Sequence, residues 1–98
     1  QLLAEVIEIF LEDAPGRFKK IKQLMDQNNF YELADAAHTL KGAASNIGAE
    51  KLWKSFREME EMAKQKNLVE VQKIFKRASV EFVELKKYFP KLKTQLAR

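Results

Sequence analysis

One residue in this chain could act as a nucleophile without help from a base. His38 is the only histidine, there is no cysteine, and the histidine sits in the middle of a helical pattern. An imidazole is largely neutral near cellular pH, so its free nitrogen can attack phosphorus without a dedicated base. Its direction follows from the helical advance of about 100° per residue. With His38 at zero, the apolar set Leu33, Ala36, Ala37, Leu40, Ala43, Ala44 and Ile47 falls on an arc centred about 200° away. The ring therefore faces solvent rather than a core.

Exposure alone does not make a histidine functional, so its neighbours carry the argument. Within about 60° on the same face lie Tyr31, Ala34, Asp35, Lys41, Gly42 and Ser45, one or two turns before and after it. Gly42 costs roughly 1 kcal/mol relative to alanine in a helix interior. A bare backbone one turn beyond the ring lets a bulky group, such as a phosphoryl moiety carried by another protein, come close. Lys41 puts an ammonium where anionic oxygens would need neutralising. The bland readings are a solvated lysine and a close helix contact at Gly42, and the solvent-side angle of Gly42 disfavours the second.

Other chemistries lack their parts. No Walker or kinase glycine pattern is present, and a single histidine without cysteine or a His-Glu-x-x-His run makes no metal site. Glu58, Glu60 and Glu61 do not share one tight face and are expected to be solvated. No apolar run exceeds three residues, so no membrane span and no signal-peptide core are expected. Together with the absence of cysteine this places the chain in the cytoplasm, without direct membrane contact. Gln1 already lies inside an amphipathic pattern, as in a module taken from a longer protein.

The elements that must hold His38 are helical. Hydrophobic composition of 46%, charged composition of 33%, three glycines and two prolines describe an ordered domain rich in helix formers. Five segments carry helical periodicity. Leu3, Val6, Ile7 and Phe10 mark the first, and Asp13-Ala14-Pro15 reads as a break that caps the second. Phe18, Ile21 and Met25 face inward on the second, which Asn28-Asn29 ends. Asn29 and Glu32 resemble a capping box for the third, from Phe30 to Ile47, closed by Gly48. The fourth runs from Glu50 to Lys66 with Leu52, Phe56, Met59 and Ala63 inward. Asn67 and Glu70 repeat the cap before the fifth, whose Val71, Phe75, Ala78, Phe82, Leu85 and Phe89 hold a three-four spacing until Pro90 stops or kinks it. Short connections favour antiparallel neighbours. The expected fold is all-α, an up-and-down antiparallel four-helix bundle with an additional N-terminal covering helix. Residues 1–90 would form the bundle and residues 91–98 a basic tail.

The formal charge of +4 favours an acidic partner surface. Basic residues cluster at Arg17, Lys19, Lys20 and Lys22 and again at Lys86, Lys87, Lys91 and Lys93. Solvated helix faces explain them, with a helical nucleic-acid or acidic-protein binding module as the rival from a different class.

The run His38-Thr39-Leu40-Lys41-Gly42-Ala43-Ala44-Ser45-Asn46-Ile47-Gly48-Ala49 resembles the signature of histidine phosphotransfer (HPt) domains, His-x-Leu-Lys-Gly and then Gly-Ala. The likeness extends from Leu2 to Phe89. It implies that His38 is the phosphorylated residue, with Nε2 as the attacking atom, Lys41 as electrostatic helper, Gly42 as clearance and Ser45 as a polar contact. Tyr31, Ala34 and Asp35 would belong to the docking face. The implied partners are response-regulator receiver domains, met transiently, and other domains of the same hybrid sensor kinase, not nucleic acid. No cofactor is expected on this chain, since Mg2+ would sit on the receiver. A narrower alternative is the input module of a chemotaxis-type kinase, phosphorylated by a separate catalytic domain. The family often adds a polar side chain that orients the ring from the helix after the motif, and the sequence leaves that residue open.

Overall fold

The computed structural model describes residues 2–96. The chain is all-α, and its helices are α1 (Leu2–Asp26), α2 (Phe30–Asn46), α3 (Glu50–Lys64) and α4 (Leu68–Leu96). Each is followed by the next after three residues, too short for anything but an antiparallel neighbour. All three links are built alike. Asn28, Gly48 and Lys66 take the left-handed conformation, with φ of 52°, 72° and 55°. The amide after each then reaches back to the helix just left: Asn29 to the Leu24 carbonyl, Ala49 to Ala44 and Asn67 to Met62, at 2.9, 3.0 and 2.9 Å. This satisfies carbonyls that a helix end would otherwise orphan. Asn29 and Asn67 cap the helices that follow, each accepting from the amide of Glu32 or Glu70 at 3.3 and 3.2 Å.

The expected break at Asp13-Ala14-Pro15 is absent, so the described residues form four helices, with no separate covering helix among them. α1 runs for 25 residues through Pro15. The reason lies in packing. Ile7, Phe10, Leu11, Ala14, Phe18 and Ile21 stay in phase and buried across the proline, whose own ring faces solvent. A proline in a helix interior costs about 3 kcal/mol, but losing the phase would unbury several large side chains worth about 1.5–3 kcal/mol each. Asp13 pairs with Arg17 one turn on instead of capping a new helix. The first half of α1 does cover the later half of α4, through the Phe10–Phe82 ring pair at 6.1 Å and Glu8–Lys93 at 3.9 Å. Pro90 likewise does not end α4: Leu92 and Leu96 pack on the core, and Lys91 and Lys93 lie on the helix. Of the expected tail, residues 97 and 98 fall outside the described residues.

Phe18 sits at the centre of the core, with the rings of Phe56, Phe75 and Phe82 at 5.8, 5.8 and 5.4 Å. α2 contributes Leu33, Ala37, Leu40 and Ala44, all buried. That stripe fixes the rotation of α2. A polar clamp does the same for α3 against α4: buried Ser55 donates to Glu81, Arg77 donates to Ser55 at 3.0 Å, and Arg77 also pairs with Glu58.

Candidate functional site

His38 lies between buried Ala37 and Leu40 on α2, and its own side chain is 63% exposed. The ring is not free to turn. Glu60, from α3, places its two carboxylate oxygens 3.2 and 3.1 Å from His38 Nδ1. Lys41 Nζ lies 3.0 Å from Glu60 Oε1, and Lys64 Nζ lies 3.3 Å from Oε2. One carboxylate therefore gathers a ring nitrogen and two ammonium groups.

This overturns the expectation that Glu60 is solvated. Its side chain is only 12% exposed. Burial by itself raises the Glu60 carboxyl, but hydrogen bonds from Lys41, His38 and Lys64, with the charge of Lys41, outweigh it and hold the group below its ordinary 4.5. Glu60 is thus an anion at neutral pH and can only accept. In the neutral ring Nδ1 must then carry the proton and donate it, which leaves the lone pair on Nε2. The tautomer is assigned from this hydrogen-bond network.

The three glutamates considered together in the sequence go separate ways. Glu58 turns toward α4 and pairs with Arg77, and Glu61 is exposed. Glu60 falls on the edge of the apolar face of α3, beside Met59 and one turn before Ala63 and Lys64. A carboxylate at such a boundary, with a lysine four residues on, was the only available signal.

The remaining residues singled out in the sequence lie as follows. Lys41 is mostly buried and turned to Glu60 rather than to solvent. Gly42 is exposed, and a Cβ built there would meet nothing within 4 Å. Ser45 is exposed and lies beside Gly48, Ala49 and Trp53, where it lines a small surface pocket separate from the ring. Tyr31 is 88% exposed, and Asp35 is also open to solvent. Ala34, expected on the exposed face, is buried at 9% because it tucks between α2 and α3. It floors a groove of about 490 Å³ that leads to the ring, lined also by Phe30, Tyr31, Asp35, Ala63, Lys64 and Lys66.

The open space at Gly42 makes one consequence testable. Nothing within the chain demands a glycine there, so Gly42→Leu should raise helix stability by about 0.5–1 kcal/mol. The same variant should slow any reaction that brings a macromolecule to Nε2. Thermal melting and transfer kinetics on one preparation check both halves, and unimpaired transfer would assign the glycine another purpose.

Among the described residues no group of three or more histidine, aspartate or glutamate side chains could hold a metal. Among the same residues no helix is long and apolar enough to cross a membrane. In the comparison with protein families, the model described as the Hpt domain matches residues 5–97. The comparisons with curated proteins and with solved structures find no match.

Proposed function

The chain belongs to the Hpt domain family, the histidine phosphotransfer modules of phosphorelays, and from that premise we propose that His38 Nε2 is its phospho-acceptor, loaded by one receiver domain and unloaded by another. Such modules carry phosphoryl groups and are not kinases, and their partners are response-regulator receivers. The observation that carries the assignment is the contact of Glu60 with Nδ1, which leaves Nε2 as the accessible nucleophile.

The step balances without moving a proton. The Nε2 lone pair attacks phosphorus in line as the bond from phosphorus to the donor's aspartyl oxygen breaks, and the electron pair leaves with that carboxylate. Nδ1 keeps its hydrogen throughout, so the phosphorylated ring becomes a cation. The Glu60 carboxylate, already against Nδ1, offsets that charge as it forms. Unloading onto a second receiver is the same step reversed. A metal neutralising the transferring phosphoryl would be held by the receiver, since the carboxylate nearest the ring on this chain is taken up by three donors.

Docking would use the groove beside His38. Its apolar floor at Phe30, Ala34 and Ala63 and its charged rim at Asp35, Lys64 and Lys66 suit a brief encounter that charge can steer. We place this exchange in the cytoplasm, within a hybrid sensor kinase. The test separates carrier from kinase. The chain mixed with labelled ATP and magnesium should take no label, because it has no phosphate-cradling loop. Mixed with a panel of phosphorylated receivers, it should acquire an acid-labile phosphoramidate. Label from ATP alone would overturn the reading, as would failure with every receiver combined with DNA binding that weakens steeply with salt.

A further inference from the structure

Two lysines flank Glu60, and they are not equivalent. Lys41 comes from the helix of His38, and its side chain is 24% exposed with Nζ 3.0 Å from Oε1. Moving it would pull an ammonium from a mostly buried carboxylate. Lys64 comes from one turn beyond Glu60 on α3, its side chain is 60% exposed, and it holds Oε2 at the longer distance of 3.3 Å. It also lines the groove that ends at the ring. Its stem is open to solvent and its contact is the longer one, so of the two ammonium groups it is the one a stronger anion can displace more readily.

His38 Nδ1, Lys41 and Lys64 all meet at Glu60, so a lysine must leave the carboxylate to reach a phosphoryl group on Nε2, and Lys41 is the more deeply seated of the two. A phosphoryl dianion beside Glu60 concentrates negative charge on that side. Of the two lysines on Glu60, the one able to answer it is the one whose stem lies in solvent.

We propose that Lys64 is a phosphoryl-binding residue, its ammonium leaving Glu60 Oε2 for the oxygens on His38 Nε2 while Lys41 stays on Oε1 as a positioning residue. This rests on His38 being the acceptor. The exchange holds the phosphorylated state in place without adding a cation to the site. It also leaves Glu60 paired with Lys41 and with the ring, so that no buried charge is stranded.

Phosphoramidate tests this independently of any receiver. Nε2 attacks its phosphorus, the P–N bond breaks and ammonia leaves, and His38 is the only histidine that can be modified. The full chain is phosphorylated in this way as wild type, Lys64→Gln, Lys64→Arg, Lys41→Gln and Lys66→Gln, and the phosphoryl resonance is titrated with pH by phosphorus NMR. The charged groups around the ring and its groove are Glu60, Lys41, Lys64, Lys66 and Asp35, so the controls cover the other cations. A cation against the phosphoryl favours its dianion, so Lys64→Gln should raise the midpoint by about half a unit. Lys64→Arg should restore the wild-type midpoint, and Lys66→Gln should not move it. A Lys64→Gln midpoint equal to wild type overturns the inference, as does a shift seen only in Lys41→Gln, which would make Lys41 the phosphoryl ligand. If the phosphorylated wild type gives its label to no receiver, the relay reading fails while the titration still decides the role of Lys64. A wild type that takes no label from phosphoramidate removes the acceptor and this inference together.

Discussion

His38→Gln should abolish phosphoryl acceptance and leave the bundle folded, with a melting temperature close to that of the wild type. The side chain is 63% exposed, so little packing is lost, and a surface substitution of this kind stays within about 0.5 kcal/mol. Glutamine is the informative replacement because its amide can still donate to Glu60, which therefore keeps a partner. The chemistry, however, has no substitute. There is no second histidine and no cysteine anywhere in the chain. The measurement is label taken from a phosphorylated receiver, set beside a far-ultraviolet melting curve on the same sample. A folded variant that still acquires acid-labile label would remove His38 from the mechanism. An unfolded one would show that the contact with Glu60 is structural.

Glu60→Gln keeps the shape of the site and removes its charge, and loading should slow by about tenfold to a hundredfold, by analogy with the loss of a carboxylate that orients a metal-bound histidine. Two effects act together. The amide can present either its oxygen or its NH2 to Nδ1, so the protonated Nδ1 is no longer enforced, and the cation that forms on loading loses its counter-charge. The same substitution has a signature in stability. The Glu60 carboxyl is held below its ordinary 4.5 in the folded chain, so the unfolded state binds the proton more readily. Its contribution is fully present above about pH 4.5 and is lost as pH falls through the lower folded value. Glu60→Gln lacks that dependence, and its stability should fall less steeply with acid than that of the wild type. Single-turnover transfer and denaturant unfolding across the acid range check the two halves. Loading at the wild-type rate would reduce Glu60 to a structural ion pair.

Much of this was legible in the chain because an amphipathic helix reports its own orientation. The buried stripe of Leu33, Ala37, Leu40 and Ala44 is periodic, and it turns His38 outward whatever the neighbours are. The caps at Asn29 and Asn67 and the left-handed Gly48 are equally local, since each depends on residues within one turn. Pro15 shows where local rules lose. Read alone it ends a helix, yet the apolar face that continues past it is worth more than the missing hydrogen bond, and that face acquires its value only when α2 and α4 cover it.

Glu60 lies beyond what one helix can say about itself. On α3 it sits at the border of the apolar face, where a carboxylate is ordinarily solvated. It becomes the centre of the site because the clamp of Ser55, Arg77 and Glu81 sets the rotation of α3, and because α2 packs beside it with His38 and Lys41 at matching height. The sequence by itself determined the outward direction of His38, the open side of Gly42 and the helical class, all properties of periodicity within one element. Only the tertiary structure decided the partner of Nδ1, the inward turn of Lys41 and the place of Lys64, because charges from two helices meet at one carboxylate only when their rotations are set against each other.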